Sequence, residues 1–211
     1  VDISQLNKLS EENFNAKIKK VSSKVEGKLI VKEYPTASAH VGHFRALLTE
    51  LKMKKQFKPD IIFIDYLNIC ASSRIKGLSD GINTYSLIKA IAEEIRGLAV
   101  EFNVPIWSAT QVTRSGFNNA DVEITDTSES FGLPATADLM VALISNEQLE
   151  AMNQLLVKQL KNRYNDLATN RRFTLGIDKS KMRLYDIDDP TQDLIDDSKI
   201  KGAPIKTGDL T

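Results

Sequence analysis

Asp60 to Leu67 reads DIIFIDYL, and this stretch decides the fold. Four apolar residues in succession, Ile61, Ile62, Phe63 and Ile64, suit a strand covered on both faces, as in a parallel sheet with helices on each side. A carboxylate, Asp65, closes the run. Downstream, Ala71 to Asn83 is rich in Ser, Gly, Lys and Arg without an apolar period and reads as a loop. Thr84 is placed to cap the helix that follows, in which Leu87, Ile88, Ile91, Ile95, Leu98, Ala99 and Phe102 form an apolar stripe at helical spacing. Pro105 to Gln111 (PIWSATQ) is the next strand, and Val112 to Asp126 a second polar loop. Leu139 to Ser145 (LMVALIS) is another buried strand. A helical patch then leads to a strand over Leu156 to Arg163 (LVKQLKNR), and Arg171 to Ile177 with Met182 to Ile187 form a closing antiparallel pair.

Upstream of the deciding stretch, Phe44, Leu47, Leu48 and Leu51 give the i, i+3, i+4, i+7 signature of a helix. Lys28 to Tyr34 (KLIVKEY), ended by Pro35, reads as a strand, and the apolar residues between 4 and 26 fit two short helices. Strands alternating with helices predict an α/β domain with a largely parallel twisted sheet, helices on its faces and the antiparallel pair at its C-terminal end. In such sheets chemistry collects where strands end, so Asp65, Gln111 and the pair Lys161 and Arg163 become the candidates. One domain is expected over residues 1 to 188, followed by a flexible tail from 189 to 211 whose composition supplies few large apolar groups.

The chain has 211 residues, 42% of them hydrophobic, enough to bury a full core. No apolar run approaches the roughly 20 residues that span a bilayer, and the polar start VDISQLNKLSEENF does not read as a signal peptide; a cytoplasmic protein is expected. Lys plus Arg and Asp plus Glu balance at 28 each, so the chain carries no general basic field and any nucleic-acid site must be local or shared between subunits. The single cysteine, Cys70, excludes an internal disulfide and reads as a reduced, buried thiol. His40 and His43 stand three apart, but no further ligand spacing accompanies them, and surface histidines are expected rather than a metal site.

An aspartate at the end of a buried apolar strand is what a Walker B element needs, because the strand holds one carboxylate against the water shell of a Mg²⁺ ion. IIFID has this form, although a strand-end aspartate also serves as a helix cap. Gln111, ending SATQ, offers an amide that can donate to a terminal phosphate and report its loss. Lys161 and Arg163 lie two apart on a predicted strand and therefore on one face, suited either to a solvated edge or to meeting the phosphate charge in a neighbouring subunit. Tyr66 is read as a core tyrosine with its hydroxyl at the rim, with base stacking the other possibility.

In combination and order, IIFIDYL, the long helix running into EFNVPIWSATQVTR, the segment TDTSESFGLPATADLMVALI and KQLKNRYND resemble the successive motifs of the DnaB-type hexameric replicative DNA helicases, in particular those of large tailed bacteriophages. The resemblance runs from Lys28 to Asp188. It implies a RecA-like ATPase domain that uses ATP or another nucleoside triphosphate with Mg²⁺, forms a homo-hexamer, and moves along single-stranded DNA in the infected bacterial cell. Primase, a helicase loader and other replisome proteins are the implied partners. Carried over by position, Asp65 resembles the carboxylate that holds Mg²⁺ through water, Gln111 the phosphate-sensing glutamine, and Lys161 and Arg163 the basic pair acting across the subunit interface. Ser128, Glu129, Ser130, Phe131 and Gly132 match a loop that contacts DNA. Where many relatives carry arginine this chain has Ser128, so Arg114, or Arg74 and Lys76 of the earlier loop, are expected to supply that contact.

No G-x-x-x-x-G-K-[ST] pattern occurs, since the one Gly-Lys step, Gly27-Lys28, continues with Leu29. The family's catalytic glutamate also belongs to a strand before the matched region. The N-terminal part of the RecA-like domain, with its Walker A loop, is therefore expected to lie outside this stretch, and the chain alone is expected to be inactive as an ATPase. A RecA-like recombinase or clamp-loading ATPase would share the Walker B strand; the K-N-R strand favours the helicase. A RecA-like DNA-binding or scaffold module without its own nucleotide site is the alternative from another class.

Overall fold

The computed structural model describes residues 2–75, 84–112, 124, 132–167 and 171–187. Contacts divide the chain into two units, one of residues 1–33, 143–157 and 172–211, the other of residues 34–142 and 158–171. Every described residue singled out for the site belongs to the second.

The spine of the second unit is the long helix Thr84–Phe102. Its stripe places Ile88, Ile91, Ala92 and Ile95 in one buried cluster with Leu67 and Leu133. One turn on, Leu98 joins Val41 and Leu48 in a second cluster, and Ile106 packs against both. Val41 and Leu48 come from the helix Val41–Lys55, as the spacing of Phe44, Leu47, Leu48 and Leu51 predicts. Its N-terminus is capped by the two histidines. His40 Nδ1 accepts from the Gly42 N–H at 3.0 Å and His43 Nδ1 accepts from the His40 N–H at 3.2 Å, a reciprocal capping box built from imidazoles. Thr84 is the first residue of the long helix rather than its cap. The helix ends where Asn103 takes φ 49°, a conformation asparagine tolerates, and the Val104 N–H closes on the Ala99 carbonyl.

Numbered in chain order, the helices are α1 (Ile3–Leu6), α2 (Glu11–Ser22), α3 (Val41–Lys55), α4 (Thr84–Phe102), α5 (Gly132–Thr136) and α6 (Glu147–Ala151). The strands are β1 (Ile62–Ile64), β2 (Ile106–Ser108), β3 (Leu139–Ile144), β4 (Gln154–Asn162), β5 (Arg172–Asp178) and β6 (Arg183–Asp186). β1 and β2 pair in parallel, with Ile62 opposite Ile106 and Ile64 opposite Ser108. A four-stranded sheet has the order β3-β4-β5-β6, and β5 and β6 are antiparallel, as the closing pair was expected to be. α1 and α2 are the two short helices expected near the N-terminus, with Ser10 capping α2 by accepting from the Asn13 N–H.

Three expectations are corrected. Lys28 to Tyr34 is not a strand; Leu29 and Val31 are 87% and 81% exposed. β-propensity measures how well a side chain fits between neighbouring strands, and no strand among the described residues lies alongside this segment. The second correction concerns DIIFIDYL, whose strand spans only Ile62–Ile64 before the chain turns into a 3₁₀ helix at Leu67–Ile69. Third, β1 is not covered on both faces: Phe63 is 72% exposed, because among the described residues β2 is its one strand partner and the helical cover comes from the Ile62 and Ile64 side. The tail expected at 189–211 lies outside the described residues, as does the loop from 76 to 83.

Candidate active site

Parallel pairing in register carries both chains to the same edge. Because Ile64 faces Ser108, the residues after each strand, Asp65 on one side and Ala109, Thr110 and Gln111 on the other, emerge together. Cross-links hold the two exits side by side: Ser108 Oγ donates to the Ile64 carbonyl at 2.8 Å, the Leu67 N–H to the Ala109 carbonyl at 3.1 Å, and Thr110 Oγ1 to Asn68 Oδ1 at 2.9 Å. Asp65 is exposed and precedes a cis peptide to the half-buried Tyr66. Among the described residues no hydrogen bond or ion pair takes up the Asp65 carboxylate. Gln111 is exposed and stands three residues beyond the end of β2. An anionic oxygen donor open to solvent, next to a neutral amide, is a donor set that suits a hydrated divalent ion and the terminal phosphate of a nucleotide.

The basic pair is brought together at a different place. Lys161 ends up on β4 and Arg163 one residue past it, and both reach the C-terminal end of α5. The Lys161 ammonium donates to the Pro134 carbonyl, and Arg163 Nη2 donates to the Ala135 carbonyl at 2.9 Å. Arg163 Nη1 pairs with Asp138 Oδ1 at 2.9 Å, while Arg96 Nη1 takes the other oxygen, Oδ2, at 2.8 Å and the Thr136 carbonyl at 2.7 Å. The last three residues of a five-residue helix thus hand one carbonyl each to three different cations. A helix end leaves such carbonyls without intrahelical donors, and side-chain cations are suited to them. The hydrogen bond from Arg96, reinforced by the charges of Arg96 and Arg163, holds the Asp138 carboxyl below its ordinary range. Burial, and then the charge of Arg163, push the Lys161 ammonium below its own. An open groove of about 780 Å³ borders this cluster, lined by Tyr85, Lys89, Glu93, Val100, Arg96 and Arg163; Asp65 and Gln111 do not line it.

Arg74, expected near DNA, is committed within the chain. Its guanidinium reaches Glu93 at 2.8 Å, Glu94 at 3.3 Å and the Ala90 carbonyl at 2.9 Å, all on α4. Glu94 also accepts from Ser72 Oγ at 2.5 Å and from the Ser73 hydroxyl and N–H. Burial raises the Glu94 carboxyl, but these hydrogen bonds outweigh it and hold the group below its usual range. Gly132, the one described residue of the expected DNA loop, is buried beneath Lys89, where a Cβ would come within 2.8 Å of that side chain. Lys76, Arg114, Ser128, Glu129, Ser130 and Phe131 lie outside the described residues.

Sequence reasoning missed Asp138, Arg96 and Glu94. The only signal for Asp138 was its place just before the LMVALI strand, and for the two α4 residues their polar positions on an otherwise apolar helix. Cys70 is half-buried, and burial pushes its thiol up. Among the described residues no group of three or more His, Cys, Asp and Glu side chains is placed to hold a metal, and no helix is long and apolar enough to cross a membrane.

Comparison with known proteins agrees with this geometry. The DnaB-like helicase C terminal domain family matches residues 1–180. The DnaB-like replicative helicase of enterobacteria phage T4 is 48% identical over 162 residues, which cover 77% of this chain and 34% of that protein. The replicative DNA helicase DnaB of Rickettsia typhi is 27% identical over 141 residues, covering 66% of this chain and 27% of that one. The chain thus spans about a third or less of the length of these relatives. Among solved structures, an isolated ATPase domain superposes with a TM-score of 0.70 at 15% identity, over 89% of this chain and 66% of that one. A DnaB-like replicative helicase studied with primase superposes with a TM-score of 0.69 at 17% identity, over 89% and 45%. Those likenesses establish the RecA-like ATPase fold, and with the family match over most of its length the chain belongs to the DnaB-like helicase C-terminal domain family.

Proposed function

We propose that this chain is the part of a replicative DNA helicase ring that couples nucleoside triphosphate hydrolysis at subunit interfaces to movement along single-stranded DNA. The observation that carries the reading is the separation of its two charged groups. Asp65 and Gln111 share an open strand-end edge, whereas Lys161 and Arg163 are gathered on α5. A site completed between subunits needs this division: one subunit offers the acidic and amide donors, and its neighbour offers the cations. Asp65 would hold Mg²⁺ through water, Gln111 would donate to the terminal phosphate of ATP, and Arg163 with Lys161 would face the phosphates of the adjoining subunit. When bound, the ion neutralises phosphate charge as the bond to the leaving group breaks.

DNA contacts are assigned to Lys76, Arg114 and the Ser128–Gly132 segment. Arg74, held by two carboxylates, fastens the start of its loop to α4 instead. Assembly as a homo-hexamer and contact with primase follow from the same reading, supported by the helicase relatives, and the place of action is the cytoplasm of an infected bacterial cell.

The test uses the full-length gene product on single-stranded DNA. Rings of Asp65→Asn subunits and rings of Arg163→Ala subunits are each expected to hydrolyse ATP poorly. Mixed rings should recover part of the activity, because some interfaces then pair an intact Asp65 with an intact Arg163 from the neighbour. Mixed hexamers no more active than the average of their parents would place Arg163 in its own subunit's site or in none. Turnover by the Asp65→Asn protein equal to that of the unaltered one would favour the scaffold alternative, in which no nucleotide is used here.

A further inference from the structure

We propose that Asp138 and Arg96, together with the Pro134, Ala135 and Thr136 carbonyls, form a cradle that positions Arg163 and Lys161 for the neighbouring subunit's nucleotide. The inference rests on the cross-interface reading of that pair and adds to it two positioning residues, neither of which would touch the nucleotide.

Asp138 is gripped at two levels by the residue it orients. The Arg163 N–H donates to the Asp138 carbonyl at 3.0 Å, and the Arg163 guanidinium pairs with the Asp138 carboxylate at 2.9 Å. Backbone and side chain therefore fix the same two residues against each other. The second carboxylate oxygen belongs to Arg96, whose own guanidinium also binds the Thr136 carbonyl, so the carboxylate cannot swing away from Arg163 without breaking contacts to α4 and α5. Lys161, bound one carbonyl earlier, and Arg163 are thereby set in order along one helix end.

A long basic side chain in solution samples many rotamers, and a group that must meet developing phosphate charge loses rate when it is not held in place beforehand. Neither guanidinium is fully enclosed: Arg163 and Arg96 side chains are 45% and 40% exposed, so Arg163 keeps solvent-facing donors with which to meet a ligand while one edge stays clamped. The depressed Asp138 carboxyl is charged throughout the physiological range, which keeps the clamp closed.

A double-mutant cycle in the full-length ring tests this. Asp138→Asn keeps the shape of the side chain but offers one acceptor oxygen where two were used. It is expected to lower kcat for ATP hydrolysis by about 10², the usual cost of misplacing a reacting group by an ångström, with KM for ATP unchanged. In the Arg163→Ala background the same substitution should cost nothing further, because nothing remains to be positioned. Arg96→Gln, which never touches Arg163, should repeat the pattern more weakly and serves as the second route if Asp138→Asn does not fold. An Asp138→Asn or Arg96→Gln effect of equal size with and without Arg163 would overturn the proposal and mark the cluster as structural. Arg163→Ala rings that lose activity while Asp138→Asn and Arg96→Gln rings behave like the unaltered protein would overturn the cradle alone. Arg163→Ala rings with full activity would overturn the cross-interface reading itself, and the cradle with it.

Discussion

The strand-end edge and the α5 end are built in opposite ways. At the first, Asp65 and Gln111 are exposed, and what the fold fastens is the backbone around them, through Ser108 to Ile64, Leu67 to Ala109 and Thr110 to Asn68. At the second, the side chains themselves are fastened, each cation to its own carbonyl and two of them to Asp138. The difference teaches what each place is for. A carboxylate that recruits a hydrated ion must stay open to water, whereas a cation delivered to another subunit works best when its geometry is set before arrival.

The largest expected effect separates the two directly. Arg163→Ala should lower ring ATPase by about 10³ to 10⁵, the range for removing an arginine that stabilises phosphoryl transfer, with ATP binding retained. Asp65→Asn should cost about 10 to 100-fold, as for a ligand that acts through metal-bound water, and the loss should be largest at limiting Mg²⁺. Steady-state rates across a Mg²⁺ titration check both. An Arg163→Ala loss that grows as Mg²⁺ falls would erase the contrast between the regions.

Next in size is a packing change beneath the strand edge. Leu98 is 1% exposed and clusters with Val41, Leu48 and the flanking Ile62 and Ile106 of the two parallel strands. Leu98→Ala should destabilise the fold by about 2 to 5 kcal/mol, measured by denaturant unfolding. A loss below about 1 kcal/mol, roughly that of a surface change, would mean that α4 does not anchor the strand edge.

The smallest effect concerns acid. Asp138 has a lowered pKa in the folded chain, chiefly through the Arg96 hydrogen bond, so its contribution to stability is full above the ordinary aspartate value near 3.8 and is lost as pH falls through the lowered one. Followed by NMR, Arg96→Ala should move the Asp138 titration upward. An unmoved titration would assign the shift to Arg163 and break the two-sided grip that distinguishes this cluster from the strand edge.

Much of the molecule was legible from local pattern. The α4 stripe, the Phe44 to Leu51 spacing, the order of strands and the antiparallel close all follow from periodicity, because burial on one face leaves its mark at 3.6 or 2 residues. Asp65 and Gln111 were legible too, since each follows an apolar run that ends at the same edge of a parallel pair. Lys28 to Tyr34 misled because β-branched composition reports fitness for a neighbour, not the neighbour's presence.

The sequence alone therefore determined which segments are helices and strands, the RecA-like family they belong to, and the residue types offered to a nucleotide. Only the tertiary structure decided where the cations go. Asp138 meets Arg96, 42 residues away, and Arg163, 25 residues away, while Arg74 turns from an expected DNA contact into a partner for Glu93 and Glu94. Ion pairs and capped carbonyls are set by distance in space and leave no period along the chain, so a charged residue's place in sequence states what it can bind but not which acceptor reaches it first.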